Sequence, residues 1–275
     1  MRICIIGGGT TGWWCAGYME KFLPNAEITL IESSTIPIIG VGESTLPMIK
    51  TFFDKIGVDE SKWMPECNAI HKYGNVKTNW DKADGEPFAF TFWYNDNDTF
   101  SKWYKDYEAG NKTKHQINDD LYDKEAWRAV AYHLDAEKAG QLIKDNCKNV
   151  IHKIATLDEL PEGYDLYVDC TGFRRQFVKD KTETVYDHHL VDRAWVCPFE
   201  QDKDISHYTE SIARENGWQF VIDLTNRIGT GYVFSSQHTT EEEALKSFKE
   251  YNAHRTPFMG KEPRLLKWKP NILTN

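Results

Sequence analysis

The first twelve residues constrain the fold more than any other part of the chain. A short apolar, β-branched run, Arg2–Ile6, leads directly into Gly7–Gly12 (GGGTTG), which satisfies the pattern G-x-G-x-x-G. Such glycines permit a tight turn, a close approach of the backbone to a pyrophosphate, and close packing of a helix on a strand. Thr11–Phe22 then has helical spacing of its aromatic residues, and Glu27–Glu32 returns as a strand. We therefore predict a βαβ unit at this end of the chain.

An acidic residue accompanies this unit. Glu32 ends the second predicted strand, twenty positions after Gly12. A carboxylate there accepts hydrogen bonds from ribose hydroxyls, while the helix N-terminus offers unpaired N–H groups and a positive dipole end to phosphates. The combination predicts a dinucleotide-binding unit without identifying the dinucleotide. The alternative is a purely structural glycine turn.

Further helix and strand signals alternate along the rest of the chain. The predicted helices are Asp135–Asn146, capped by Asp135, and Glu241–Tyr251. The predicted strands are Asp165–Cys170, Ala194–Phe199, Trp218–Leu224 and Gly231–Ser235. The stretch from 80 to 118 is polar and aromatic and carries loop signals. This order of elements predicts an α/β fold.

Composition excludes several classes of protein. Lys and Arg number 33 and Asp and Glu 42, so the net charge is −9, and no basic block indicates a nucleic-acid or anionic-membrane partner. No apolar stretch approaches a membrane span, and the N-terminus has the pattern of a strand rather than a signal peptide. The six cysteines form no C-x-x-C, so we expect neither disulfides nor a metal site. These features predict a cytoplasmic protein.

A series of short segments gives a more specific signal. They are residues 7–13 (GGGTTGW), 40–45 (GVGEST) with Pro47, 69–74 (AIHKYG), 79–80 (NW), 132–135 (YHLD), 165–174 (DLYVDCTGFR), 192–194 (DRA), 217–218 (GW), 227–236 (RIGTGYVFSS) and 242–244 (EEA). In this order, over nearly the whole chain, they resemble the flavin-dependent tryptophan halogenases, a branch of the flavin monooxygenase-like fold.

The resemblance implies a fold. It is an FAD-binding Rossmann-like domain of flavin monooxygenase type with an interleaved mixed β-sheet substrate region. Residues 1–275 are expected to form one domain. Its cofactor-binding elements lie at about 1–50 and 130–175, and its substrate-side elements at about 51–129 and 176–275.

The resemblance also implies a chemistry. Enzymes of this family receive reduced FAD from a separate flavin reductase and form a flavin hydroperoxide with oxygen. A halide ion attacks that species and gives hypohalous acid, which a lysine directs to an electron-rich, indole-type aromatic substrate. The cofactor carries out the redox step, and the protein binds and orients the reactants.

Lys72 matches the family's lysine and is the predicted catalytic residue. An ammonium has three donors and can hold and polarise hypohalous acid, whereas an amine freed by a lowered pKa can form an N–halogen species. Sequence alone favours a solvated surface lysine at such a position. Lys77, close by, is expected to face solvent.

The remaining site residues are carried over from the matching segments. The predicted FAD-binding residues are Gly7, Gly9, Thr10, Thr11, Gly12, Trp13, Glu32, Val41, Gly42, Glu43 and Ile154. The predicted substrate-binding residues are Phe90 and Phe92, which fall where tryptophan-specific relatives carry a His and a Phe around the indole. With Phe in place of that His, a less polar or bulkier aromatic substrate than tryptophan is expected.

Two departures from the family pattern keep other functions open. The family's W-x-W-x-I-P falls on residues 218–223, where Phe220 replaces the second Trp and Asp223 replaces Pro. Nothing after Trp268 resembles the family's C-terminal segment, so the chain is expected to be a fragment or a short variant and to lack the lysine's carboxylate partner and the halide site. The alternatives are a flavin-dependent aromatic monooxygenase and a non-catalytic FAD-binding remnant. The oligomeric state stays open, a dimer included.

Overall fold

The computed structural model describes residues 1–35, 42–81, 85, 87–92, 97–112, 130–178, 183–185, 190–201, 204–268 and 271–273. The helices there are α1 (Thr10–Phe22), α2 (Met48–Ile56), α3 (Glu60–Glu66), α4 (Asn97–Glu108), α5 (Ala136–Asn146) and α6 (Glu241–Tyr251). The strands are β1 (Arg2–Ile6), β2 (Glu27–Glu32), β3 (Glu43–Ser44), β4 (Ile70–Lys72), β5 (Gly74–Thr78), β6 (Phe88–Thr91), β7 (Ala131–Leu134), β8 (Val150–Ile154), β9 (Leu166–Asp169), β10 (Glu183–Val185), β11 (Arg193–Glu200), β12 (Tyr208–Arg214), β13 (Gly217–Asp223), β14 (Arg227–Phe234), β15 (Arg264–Lys267) and β16 (Asn271–Leu273).

A parallel sheet of order β8-β2-β1-β9 carries the N-terminal unit. Its central strand β1 is buried on both faces, as the continuous apolar run predicts, and Ile3 and Ile5 are fully excluded from solvent. Helix α1 lies very close to the turn before it, because a Cβ on Gly12 would come 1.8 Å from the carbonyl oxygen of Gly7. This close approach explains why a residue without a side chain stands at position 12.

A larger mixed sheet has the order β15-β11-β14-β13-β12-β5-β6. Its pairs are antiparallel except β12 with β5, which run parallel. A small antiparallel sheet, β3-β7-β4, lies beside it and brings the segment around residue 44 next to Lys72. A largely buried ion pair, Asp135 Oδ2 to Arg227 Nη1 at 2.6 Å, connects the start of α5 to the start of β14.

The predicted α/β architecture with parallel and mixed sheets is confirmed. The βαβ unit, α5 with its Asp135 cap, and α6 agree with the predicted positions to within one residue. Strand β14 begins four residues before its predicted start, and the loop-like stretch 80–118 also contains β6 and α4. In the described part of the chain no helix combines the length and apolarity that a membrane crossing requires.

Candidate functional site

Lys72 ends strand β4 and is buried, with only 3% of its surface exposed. Its Nζ donates to Ser44 Oγ at 2.7 Å and to the carbonyl oxygen of Thr45 at 3.1 Å. The ring of Phe92 lies 4.8 Å from the same nitrogen, measured to the ring centroid. A surface lysine at this position, the favoured interpretation without the family motif, is therefore wrong.

Burial lowers the pKa of Lys72 to about 8, and the positive charge of Lys77 contributes in the same direction. Removing water from around an ammonium disfavours its charged form, as does a like charge nearby. The side chain can therefore exchange a proton near neutral pH. Lysines tuned in this way can serve as acid or as nucleophile.

Lys77, which was expected to face solvent, is half-buried. Its Nζ lies 4.8 Å from the ring centroid of Trp80 and 5.9 Å from that of Trp218, and burial lowers its pKa. Trp80 is fixed in turn by a hydrogen bond from Nε1 to the carbonyl oxygen of Ser211 at 2.9 Å. The partner Trp218 lies 141 positions beyond Lys77 in the sequence, so no local pattern could reveal this contact.

Replacing Lys77 by methionine is expected to raise the pKa of Lys72 by a few tenths of a unit or more, because a nearby positive charge is removed while the aliphatic stem is kept. The measurement is a pH titration of the Lys72 Nζ signal by NMR with ¹⁵N-labelled lysine. Lys55→Met, at an exposed lysine of α2, is the control. An unchanged or lowered pKa in Lys77→Met would contradict the electrostatic coupling.

His133 on β7 is fully buried and continues the polar contacts of Ser44. Ser44 Oγ lies 2.6 Å from Thr209 Oγ1, which lies 2.9 Å from His133 Nε2, and His133 Nδ1 lies 3.0 Å from the carbonyl oxygen of Asp223. Burial first, then the charge of Lys72, lowers the pKa of His133 to about 3, so the imidazole is neutral at physiological pH.

This histidine is expected to make the fold sensitive to acid. The unfolded chain protonates it near pH 6.5 and the folded chain only near pH 3, so the unfolded state binds more protons between these values. The free energy of unfolding should therefore fall by about 1.4 kcal/mol per pH unit from this residue as the pH drops below about 6. Urea denaturation at several pH values, compared with His133→Asn, measures it. Equal slopes in the two proteins would contradict the prediction.

The glycine loop has the geometry that its sequence predicts. Gly7 has a φ of +112°, which a residue with a side chain rarely adopts. Gly9 precedes helix α1 without a side-chain cap, and a Cβ placed on it would meet nothing within 4 Å. Thr10 and Thr11 form the first turn of the helix, with Thr11 exposed. The start of the helix therefore has open space beside Gly9 and no side-chain cap.

Glu32 lies against this loop, because a Cβ on Gly8 would come 1.5 Å from its Oε2. Its Oε1 contacts His152 Nε2 at 2.6 Å and Lys144 Nζ at 3.2 Å. Trp13 is buried beneath these partners, with its ring centroid 5.3 Å from the ring of His152 and 5.3 Å from Lys144 Nζ. Its side chain thus supports the partners of Glu32 from the core.

Ile154 is paired with Glu32 in the parallel sheet, and its side chain is 57% exposed. The structure therefore brings the glycine loop, Glu32 and Ile154 to one edge of the sheet. Sequence reasoning did not identify Lys144 or His152, since neither stands in a matching segment.

The segment around Gly42 connects to Lys72. Gly42 is buried with a φ of +92°, and a Cβ on it would lie 3.6 Å from side-chain atoms of Ile222 and Leu224. Glu43 is exposed on β3, one residue before Ser44, whose hydroxyl contacts Lys72. Val41 lies outside the described residues.

Of the two predicted substrate residues, Phe92 contacts Lys72 as described above. Phe90 lies on β6 opposite Asn75, and its side chain lies outside the described part of the chain.

The departures at positions 220 and 223 have a structural account. Phe220 packs over Gly231, where a Cβ would come 2.6 Å from its ring, so a residue without a side chain at position 231 makes room for it. Asp223 is 1% exposed, and its Oδ2 accepts a hydrogen bond from the Ser206 N–H at 2.6 Å. The carboxyl is thus used in the interior rather than offered to solvent.

Three residues that connect Lys72 to the interior by hydrogen bonds were not predicted as site residues from the sequence: Ser44, Thr209 and His133. Ser44 and His133 stand inside segments quoted for the family resemblance, so a signal was present. Thr209 stands in none of them, and only the pairing of β12 with β5 places it near Lys72.

Comparison with known proteins gives a consistent result. The sequence matches the family model "Tryptophan halogenase" over residues 2–269. It is 32% identical to tryptophan 7-halogenase RebH of Lentzea aerocolonigenes over an alignment covering 90% of this chain and 58% of RebH. The fold is similar to Xcc4156, a flavin-dependent halogenase from Xanthomonas campestris, with a TM-score of 0.81 and 26% identity over 98% of this chain and 62% of that one.

A second solved structure, the tryptophan 6-halogenase SttH from Streptomyces toxytricini, gives a TM-score of 0.80 and 26% identity over 98% of this chain and 64% of that one. The chain thus spans about three fifths of the length of these relatives. The match of sequence and fold extends over the parallel sheet, the larger mixed sheet and the small sheet that holds Lys72. The chain therefore belongs to the tryptophan halogenase family.

Proposed function

We propose that this chain carries out flavin-dependent halogenation of an electron-rich aromatic compound, with Lys72 as the catalytic residue. The observation that carries the proposal is the buried Lys72 ammonium, whose pKa is about 8 and which lies against the ring of Phe92. A buried amine with a depressed pKa beside an aromatic wall suits the transfer of an electrophile to an aromatic ring. Family membership supports the same reaction class.

The residues at the edge of the parallel sheet fit FAD. The open space before Gly9 and the uncapped first turn of α1 suit a pyrophosphate, whose charge the helix dipole stabilises. The carboxylate of Glu32, fixed by His152 and Lys144, suits the hydroxyls of the adenosine ribose. The exposed side chain of Ile154 is proposed to contact the adenine.

Further contacts with FAD are proposed for the remaining predicted residues. Gly7, Gly9, Thr10, Gly12 and Trp13 form the phosphate turn and its support, Thr11 belongs to the same first helical turn, and the segment Val41, Gly42 and Glu43 runs along the flavin. When bound in reduced form, FAD supplies the electrons with which oxygen and a halide give hypohalous acid. A separate flavin reductase is the proposed source of the reduced cofactor.

Lys72 acts on the hypohalous acid. As a neutral amine it attacks the halogen, so that a nitrogen–halogen bond forms while the oxygen–halogen bond breaks, and the departing hydroxide takes one proton from the nitrogen to form water. The aromatic substrate then attacks this halogen, and the nitrogen–halogen bond breaks. The substrate ring loses its proton, and the lysine nitrogen takes up one proton and becomes an amine again. With a pKa of about 8, the neutral amine is populated near neutral pH.

Phe92 is proposed to form one wall of the substrate site, and Phe90 a second. A site with these two rings favours a planar, electron-rich substrate of the indole or phenol type. Offset or edge-to-face packing of such rings adds stabilisation beyond the burial of apolar area.

The test is a turnover assay read by mass spectrometry, with FAD, a flavin reductase, NADH, oxygen and each halide over a panel of indoles and phenols. The expected result is a product that carries halogen and forms only when halide is present. An oxygenated product that forms without halide would contradict the proposal and indicate a monooxygenase. A protein that binds FAD but yields no product would contradict it as well.

A further inference from the structure

The contacts that link Lys72 to the interior form a continuous chain of hydrogen bonds. It runs from Lys72 Nζ to Ser44 Oγ at 2.7 Å, to Thr209 Oγ1 at 2.6 Å, and to His133 Nε2 at 2.9 Å. It ends where His133 Nδ1 meets the carbonyl oxygen of Asp223 at 3.0 Å. Lys72, Thr209 and His133 are all buried, at 3%, 6% and 0% exposure.

The carbonyl group of Asp223 determines which atom donates in every hydrogen bond of this series. A backbone carbonyl can only accept, so Nδ1 of His133 must carry the proton that is donated to Asp223. Because the imidazole is neutral, its Nε2 then has a lone pair and accepts from the hydroxyl of Thr209. Each ring nitrogen therefore has one fixed role.

The same reasoning applies to the two hydroxyl groups. The hydroxyl of Thr209 donates its one hydrogen bond to His133, so its oxygen accepts a hydrogen bond from Ser44. The single proton of Ser44 is thereby directed to Thr209, and Ser44 presents only its oxygen to Lys72. The other contact of the lysine, the carbonyl oxygen of Thr45, also only accepts. Both groups thus accept hydrogen bonds from the N–H groups of Lys72, and neither can donate a hydrogen bond to its nitrogen.

This arrangement has a consequence for the neutral amine. Two of its positions are N–H bonds directed to Ser44 and Thr45, and the remaining tetrahedral position holds the lone pair. Ser44 would compete for that lone pair if its hydroxyl were free to rotate, because a hydroxyl is both donor and acceptor. The orientation imposed from His133 prevents this and leaves the lone pair outside the hydrogen-bonded chain.

We propose that His133 and Thr209 are positioning residues that hold the Ser44 hydroxyl in one orientation, so that it accepts from Lys72 and leaves the reactive position of the nitrogen open to the halogen donor. The inference rests on the proposed function of Lys72 as the catalytic amine. It assigns a role to two residues, His133 and Thr209, which act only through Ser44 and contact neither substrate nor cofactor in the proposed site.

Other charged and titratable groups surround this chain. Lys77 lowers the pKa of Lys72, and His207 acts on His133 in the same direction as Lys72 does. His207 Nδ1 contacts the carbonyl oxygen of His71, whose ring contacts Glu60. Glu43 is exposed on β3 beside Ser44. These groups are unchanged in variants at position 209. A comparison confined to Thr209 therefore isolates the effect of the hydrogen bonds from Lys72 to His133.

The test compares Thr209→Val, which keeps the shape and removes the hydroxyl, with Thr209→Ser, which keeps the hydroxyl. The pKa of Lys72 is read from the ¹⁵Nζ signal that is lost in Lys72→Met. In Thr209→Val the pKa is expected to fall by about half a unit, because Ser44 loses its fixed orientation and becomes able to donate to the amine. In Thr209→Ser the wild-type pKa is expected to persist.

Turnover gives a second measurement. In Thr209→Val, kcat is expected to fall about tenfold with KM unchanged, the loss corresponding to one competing hydrogen bond at the nitrogen. The acid limb of the pH profile should move to lower pH by the same half unit. Thermal unfolding and FAD titration of each variant confirm that it is folded.

Three results would overturn the inference: an unchanged pKa of Lys72 in folded Thr209→Val, an equal shift in Thr209→Ser, or a His133 protonated at Nε2 by ¹⁵N NMR. The second result would indicate a packing effect rather than a hydroxyl effect. If the wild type itself yields no halogenated product, the proposed function fails, and the NMR titration still decides whether the chain orients Ser44.

Discussion

Replacing Lys72 by alanine is expected to lower the rate of halogenation by a factor of about a thousand. The variant loses the buried nitrogen that takes up the halogen and holds it beside the substrate, and the loss of such positioning of a reacting group costs about 10² or more in rate. The measurement is the halogenated product formed per enzyme in the coupled assay with FAD and a flavin reductase. Lys55→Ala, at an exposed lysine of α2, is the matched control and should retain wild-type activity.

The binding of FAD should survive this substitution within about twofold, because Lys72 contacts Ser44, Thr45 and Phe92 rather than the glycine loop. Lys72→Met, which retains most of the aliphatic stem, separates the loss of charge from the loss of packing. Halogenation at the wild-type rate in either variant would refute the catalytic role of Lys72.

Substitutions at two glycines of the N-terminal turn are expected to have large and different effects. Alanine at Gly9 meets nothing within 4 Å, so the free energy of unfolding should stay within about 0.5 kcal/mol of the wild type. The added methyl would stand in the space proposed for the pyrophosphate, and FAD affinity should fall at least about tenfold, because the backbone can no longer approach the phosphates closely.

Alanine at Gly12 should damage both properties. Its Cβ would come 1.8 Å from the carbonyl oxygen of Gly7, so helix α1 must move away from the turn. Overpacking of this kind costs about 1–3 kcal/mol of stability, and the displaced helix N-terminus should lose the cofactor. Urea denaturation and fluorescence titration with FAD measure the two effects. Unchanged FAD affinity in Gly9→Ala would place the pyrophosphate elsewhere.

Local patterns were sufficient for the elements that depend on neighbours in sequence. The glycines of the turn Gly7–Gly12 permit its conformation, and the apolar runs before this turn and after helix α1 form β1 and β2 as predicted. Asp135 caps α5 through its own carboxylate, which accepts from the backbone N–H groups of Glu137 and Lys138. Each of these features needs only a few adjacent residues.

Elements whose stability comes from packing were harder to predict. Helices α2 and α3 were not predicted, although α2 ends at Gly57 in the left-handed conformation and α3 is capped by Asp59. Helix α4 lies in a stretch that the polar composition indicated as a loop. Short helices gain most of their stability from tertiary contacts, so their sequence signals are weak.

The sequence by itself determined the βαβ unit and its glycine turn, and the family resemblance singled out Lys72. Only the tertiary structure decided what surrounds that lysine. Parallel pairing of β5 with β12 brings Thr209 beside it, and Lys77 is half-buried, with its Nζ near the rings of Trp80 and Trp218. The reason is that a lysine's pKa and hydrogen bonds depend on the groups within a few ångströms of its nitrogen, and here those groups come from strands far apart in sequence.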